Sequence, residues 1–250
     1  MKVSIVTISF NQSKYIEKAI LSIIGQKDID LEYIVVDPGS TDGSRNIIEK
    51  YRNSISKIIY EKDKGPADGL NKGFIQSHGD ILGFINSDDM LMPNSLEKVI
   101  NFFKNYSKTD VLLGRGYIIN EDDKLIRYII PNEFSVRKFV TGGFQFIQQS
   151  MFFRKSAFEN CGGFNIYNKT CWDGELLLDM GISGCNIVCS GDELGLFRIH
   201  ENSITSTGRL NEQYLLDRNR LFTKAMGRNR EIKDYIYEYF YRIKKLILDK

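Results

Sequence analysis

Two carboxylates stand side by side in Asn86-Ser87-Asp88-Asp89, directly after the apolar run of residues 80–85. Adjacent acids at the end of a buried strand are costly unless a cation or a donor neutralises them. Carboxylate oxygens suit Mg²⁺ or Mn²⁺, and Mg²⁺ commonly joins one or two protein carboxylates to substrate phosphates. No phosphate-cradling P-loop and no G-x-G-x-x-G precede the pair, so the chemistry it points to is a nucleotide diphosphate held through a metal. Further polar groups follow other apolar runs: Thr7 and Ser9, then Asp37, Ser40 and Asp42, then Glu61 and Asp63. Taken singly each reads as a turn former; four such sets converging on one crevice read as a site.

The elements that must carry them alternate. Residues 3–9 form a β-branched run with the pattern of a buried strand. Tyr15, Ile16, Ala19, Ile20, Ile23 and Ile24 then fall on one helical face, with Ser13 as the expected N-cap. Strands are expected over 31–36, 57–60 and 80–85, and helices over 42–51 and 67–77. Repeated β-α-β with short connections predicts a mostly parallel, doubly wound sheet with helices on both faces, and ligands bind outside the carboxyl ends of its strands. In the second half, residues 111–120 and 124–130 flank Glu121-Asp122-Asp123 as a hairpin. A strand is expected over 145–153, a helix over 172–182, a strand over 194–199, and helix from about 211 onward. The division expected is one α/β domain over 1–222, with halves 1–110 and 111–222, and a helical tail over 223–250.

Composition narrows the function classes. The 250 residues are 42% hydrophobic and 26% charged with net charge +2, which excludes disorder and gives no bulk-charge footprint for nucleic acid. Cys161, Cys171, Cys185 and Cys189 make no C-x-x-C pair and only two histidines are present, so free thiols in a reducing cytoplasm are expected rather than a zinc site. The opening run reads as a strand, not a signal peptide, and no apolar stretch approaches the ~20 residues of a membrane span.

Ser4-Ile5-Val6-Thr7-Ile8-Ser9-Phe10-Asn11, Ser22-Ile23-Ile24-Gly25-Gln26, the stretch from Glu32 through Asp37-Pro38-Gly39-Ser40-Thr41-Asp42-Gly43-Ser44, the stretch from Glu61 to Gly73, and Asn86-Ser87-Asp88-Asp89 occur in the order seen in family 2 glycosyltransferases, which the chain resembles over roughly residues 3–206. The resemblance implies a GT-A fold, a nucleotide-diphosphate sugar donor (a UDP-sugar) and inversion at the anomeric carbon. It implies Thr7, Ser9 and Asp37 at the base and ribose, Asp68 and Arg198 on the donor, Asp88 facing the ribose, Asp89 on a Mg²⁺ or Mn²⁺ ion, and His200 as a further ligand of that ion or a donor to the phosphates. Pro38 replaces a second acid common in relatives and removes a contact to the uracil ring. Thr170-Cys171-Trp172-Asp173-Gly174-Glu175-Leu176 resembles the acidic pair whose Asp deprotonates the acceptor, which matches Asp173 to the general base and puts Trp172 where relatives have an acid. Without the resemblance, Asp173 is a residue favoured at a helix start by the dipole. Ser203 and Ser206 resemble part of the closing segment near the diphosphate. Relatives that build bacterial surface polysaccharides imply a saccharide or lipid-linked saccharide acceptor.

Two other readings compete. A sugar nucleotidyltransferase would carry a Gly-rich basic loop after the first strand, where this chain has Asn11-Gln12-Ser13-Lys14. A catalytically inactive nucleotide-sugar-binding protein would not need the acids at 88, 89 and 173. In the tail, Ile232, Tyr235, Ile236, Tyr239, Phe240, Ile243, Leu246 and Ile247 form a helical stripe beside Lys233, Arg242, Lys244 and Lys245. That stripe is expected to pack on the domain or on a second copy in a homodimer, or else to rest on the inner face of the cytoplasmic membrane.

Overall fold

A computed structural model describes residues 1–201, 208 and 210–248, apart from the side chains of residues 242 and 244–248. Ser203 and Ser206 lie outside the described residues, as do the side chains of Arg242, Lys244, Lys245, Leu246 and Ile247.

The alternation predicted for the first half is present. Strands β1 (Val3–Ile8), β2 (Leu31–Val36), β3 (Lys57–Ile59) and β4 (Ile81–Asn86) alternate with helices α1 (Ile16–Ile24), α2 (Ser44–Lys50) and α3 (Pro66–Ile75). β1 pairs in parallel with β2 and β4, and β2 with β3. Then come β5 (Met90–Leu91), α4 (Ser95–Asn105), β6 (Val111–Ile119), β7 (Leu125–Ile129), α5 (Val136–Val140), β8 (Met151–Arg154), α6 (Lys155–Asn160), α7 (Trp172–Ile182), β9 (Ile187–Arg198), α8 (Asn211–Met226) and α9 (Ile232–Leu248). Among the described residues the sheet has nine strands in the order β3-β2-β1-β4-β8-β6-β9-β5, with β7 paired to β6. β8 runs antiparallel between β4 and β6. It is shorter than the strand expected over 145–153, because Gln148–Ser150 winds into a 3₁₀ turn.

Period-two alternation sends the strand side chains to two cores. Val3, Ile5, Tyr33 and Val35 meet Ile16 and Ile20 of α1 and Leu96, Val99 and Phe103 of α4. Val6, Ile34, Val36 and Phe84 meet Leu70 and Phe74 of α3 and Leu176, Leu177 and Met180 of α7. α3 lies close on β1 because Gly73 faces it; a Cβ there would sit 2.4 Å from Val6 Cγ1. Pro66 at the first helical position starts α3 without losing a hydrogen bond. Ser13 does not cap α1: Tyr15 holds that position, and the Ser13 N–H instead donates to Asp42 Oδ2 at 2.8 Å. The expected tail boundary at 222/223 falls inside α8, and the chain turns at Gly227, in the left-handed region at φ +66°.

Candidate active site

The ends of β3, β2, β1 and β4 lie in that order along one edge, and each carries a polar group. The loops after β1 and β2 are laced together: Asn11 N–H donates to Ser40 Oγ (2.8 Å), Thr41 N–H to Asn11 Oδ1 (2.9 Å), and Gln12 N–H to Ser44 Oγ (2.9 Å). Asn11 takes the left-handed conformation, φ 54°, that Asn tolerates better than most residues. Asp37 is fully buried, and its Oδ1 accepts from Gly39 N–H, Ser40 N–H and Arg45 Nε. Burial opposes ionisation there, but donors from Ser40, Arg45 and Gly39 outweigh it and hold the carboxyl below its ordinary value. Asp37 Oδ2 and Ser9 Oγ are buried with no hydrogen-bond partner, an arrangement native proteins seldom leave without a ligand or water to complete it. Thr7 differs from expectation. It is fully buried and its Oγ1 accepts from the Tyr33 hydroxyl at 3.1 Å, so it supports the site from within the core.

After β3, burial pushes the Asp63 carboxyl up, with the Asp68 and Asp37 charges adding to it. Asp68 accepts from Lys64 N–H (2.9 Å) and pairs with Lys72 at 3.7 Å. Asp63, noticed in the sequence only as a strand-end acid, is thus electrostatically linked to Asp37. Its strand-end position was the signal.

The β4 end carries the two adjacent acids. Asp89 is completely buried: Oδ1 accepts from Arg198 N–H (2.8 Å), and Oδ2 from Gln149 Nε2 (2.5 Å) and Asn86 Nδ2 (3.1 Å). Burial and the neighbouring Asp88 charge push its pKa well up. Asp89, expected as a metal ligand, thus has three protein donors on its two oxygens, which tie the β4 end to β9 and to the 3₁₀ turn at Gln148–Ser150. Asp88 keeps part of its side chain open to solvent and faces His200, with Oδ2 3.1 Å from Nε2. Arg198, expected on the donor, is buried and spent on the protein. It donates to Asp88 O (2.8 Å) and Asn120 O (3.0 Å), pairs with Asp123 at 2.5 Å, and lies over Tyr15 at 5.0 Å. It clamps the β6–β7 turn onto the Asp88 backbone. His200, 6% exposed, also packs on Tyr15, with ring centroids 4.8 Å apart.

Among the described residues no group of three or more His, Cys, Asp or Glu stands ready to hold a metal. A carboxylate and an imidazole 3.1 Å apart nevertheless fit a divalent ion whose remaining positions are filled by substrate phosphates.

The second cluster lies at the start of α7, which spans the residues expected of it. Asp173 lines a cavity of about 620 Å³ walled by Phe139, Phe146, Phe197, Tyr214 and Leu221, among others. Burial raises its carboxyl pKa against the backbone N–H groups of Gly174 and Asp173. Trp172, which stands where relatives have an acid, turns into the core against Phe84 (5.7 Å) and Phe164 (5.8 Å). Glu175 is buried and gripped by Arg220 (2.7 and 2.6 Å), Lys224 (3.1 Å) and Asn168 (2.8 Å). Burial opposes its ionisation, yet these donors bring its pKa down to about 2. Glu175 therefore ties α8 to α7, a role its spacing from Asp173 did not reveal.

Comparison with known proteins agrees with this architecture. TarS residues 1–349 of S. aureus, solved in complex with UDP-GlcNAc, superposes with a TM-score of 0.73 at 19% identity, covering 98% of this chain and 72% of that one. A mannosyltransferase of Pyrobaculum calidifontis, solved with GDP-Man and Mn²⁺, gives 0.67 at 14% identity, covering 100% and 76%. The fold is accordingly the GT-A type expected. Two curated relatives are a putative teichuronic acid biosynthesis glycosyltransferase, TuaG of Bacillus subtilis, 31% identical over 130 residues (51% of this chain, 52% of that protein), and an uncharacterized glycosyltransferase of Nostoc sp., 30% identical over 129 residues (50% and 40%). The chain thus matches about half the length of these relatives, or less. The family model for glycosyl transferase family 2 matches residues 4–169, and the chain belongs to that family.

Proposed function

We propose that this protein transfers a sugar from a nucleotide-diphosphate sugar, a UDP-sugar, to a hydroxyl of a saccharide acceptor with inversion, in bacterial surface polysaccharide synthesis. The observation that carries the reading is Asp173, a carboxylate made more basic by burial and set in the wall of an aromatic cavity. A general base needs this combination of partial desolvation and access to the attacking oxygen. Asp173 takes the acceptor proton as the acceptor oxygen bonds the anomeric carbon and the diphosphate leaves on the far side. Ser9 and Asp37, with their unpartnered oxygens, hold the nucleoside, and Asp63 joins them from the β3 end. Asp88 and His200 would hold a Mg²⁺ or Mn²⁺ ion, which when bound offsets negative charge on the departing diphosphate. The TarS complex with UDP-GlcNAc and the TuaG likeness support the donor class and the pathway class respectively.

The deciding experiment is release of nucleoside diphosphate from a panel of nucleotide sugars, with and without acceptor. Turnover in the wild type and loss on Asp173→Asn with donor binding retained supports transfer. Donor binding with no turnover under any condition makes the protein a nucleotide-sugar binder instead. For the metal, titration calorimetry of UDP with and without Mn²⁺ should show Asp88→Ala losing the Mn²⁺-dependent gain in affinity. Retention of that gain within about twofold places the ligand elsewhere.

A further inference from the structure

Helix α9 is docked by its polar side. Asp234 is fully buried, receives Arg228 at 2.6 and 3.0 Å, and accepts from Glu231 N–H at 2.9 Å. Glu238 bridges Arg218 (3.1 Å) and Arg230 (2.8 Å), and the Tyr241 ring lies against Gly143. Residues 234, 238 and 241 share one helix face by their i, i+4, i+7 spacing. The opposite side shows Ile232, Tyr235, Ile236, Tyr239 and Phe240, at 56–80% exposure. A helix seated on its own domain ordinarily turns the apolar stripe inward. Here ion pairs hold it with that stripe outward, so the stripe does not pack on the domain.

Charge selects the occupant. The cations at 218, 220, 224, 228 and 230 are spent on Glu238, Glu175, Asp179 and Asp234, but the end of the helix and the residues after it, 242–250, add four Lys or Arg against one Asp, whereas the whole chain is only +2. A two-fold contact pairs a patch with itself and would set this basic segment against its own copy. An anionic lipid surface complements it, and tyrosines flanking aliphatic groups are the side chains that settle at headgroup depth. No described helix is long and apolar enough to cross a membrane, which leaves interfacial seating as the mode of contact.

We propose that the outward face of α9 rests on an anionic membrane surface. Glu238 also abuts Gly142, and both Gly142 and its ion-pair partner Arg218 line the cavity that holds Asp173. Seating α9 therefore brings that cavity to the bilayer and suits an acceptor with an apolar anchor. This last consequence alone rests on the transferase reading.

The test is flotation of the full chain with phosphatidylglycerol-containing vesicles and with pure phosphatidylcholine vesicles, at low salt and at about 0.5 M salt. The double variant Tyr239→Ser/Phe240→Ser is run alongside, with light scattering for oligomeric state. The expected result is a monomer that binds phosphatidylglycerol vesicles at low salt. The bound fraction should fall about tenfold in high salt, on pure phosphatidylcholine, or in the double variant, with nucleoside diphosphate release unchanged in that variant. No binding at low salt overturns the proposal, as does equal binding to both lipids. A dimer that the double variant dissociates assigns the face to a second copy and also overturns it. Vesicle binding by a protein that turns over no donor keeps the surface and sinks the transferase reading.

Discussion

Replacing Asp89 by Ala strips the acceptor from two buried donors, Arg198 N–H and Gln149 Nε2, at about 1–3 kcal/mol each. Without added metal or nucleotide, Asp89→Ala should lower Tm by on the order of 5–10 °C in differential scanning calorimetry, whereas Asp88→Ala should shift it by about 2 °C or less. Equal shifts would mean that Asp88 is also an anchor. Asp173 makes a pH prediction. Its folded pKa lies above the ordinary carboxylate value, and only the ionised form accepts a proton, so turnover should climb as pH rises through that raised value. Asp173→Asn should cut turnover by on the order of 10²–10⁴ and abolish this acid limb; a limb that survives belongs to another group. The acids of the crevice were legible from their types and strand-end positions. Their division of labour was not, because it is set by Arg198 and Gln149, which reach Asp89 from residues 60 and 109 positions away in sequence.

At the scale of elements, Gly73 and Glu175 govern how helices seat. Gly73→Ala adds intrinsic helix propensity but drives a methyl into Val6. Overpacking of this kind costs about 1–3 kcal/mol, so urea unfolding should show net destabilisation; a gain in stability would mean that β1 yields. Glu175 has a folded pKa of about 2 against an ordinary 4.5. Its contribution is complete above the ordinary value and is lost as pH falls from there toward 2. Limited proteolysis across that window should find cleavage near α8 before the sheet is attacked, and Glu175→Gln should show the same cleavage at neutral pH. Unchanged resistance in that variant would show that Asp217, which accepts from the Thr170 hydroxyl at 2.7 Å, and the apolar contacts of Leu221 and Phe222 hold α8 unaided. α7 and the β6–β7 hairpin were readable from periodicity and turn residues. α4 has a buried face of Leu96, Val99, Ile100 and Phe103 at helical spacing, although no helix is expected there in the sequence analysis. The two-residue β5 had no pattern to read, since pairing with β9 alone defines it.

Across the whole molecule, the β-α-β rhythm made the parallel first half predictable, while the insertion of antiparallel β8 between β4 and β6 was not legible. Strand partners so far apart in sequence are chosen by tertiary packing rather than by local propensity. The same insertion joins the two halves into one sheet, so a fragment of residues 1–110 would leave the β4 edge bare. Such a fragment should fail to give dispersed amide signals in NMR spectra; a folded one would show that the first half closes unaided. The wedge also bears on biosynthesis. β4 ends at Asn86 and its partner β8 begins at Met151, and at roughly 5–20 residues per second a ribosome needs about 3–13 s to cover that interval. For those seconds the nascent chain presents an apolar strand edge with nothing to pair it, the interval in which a chaperone has most to protect.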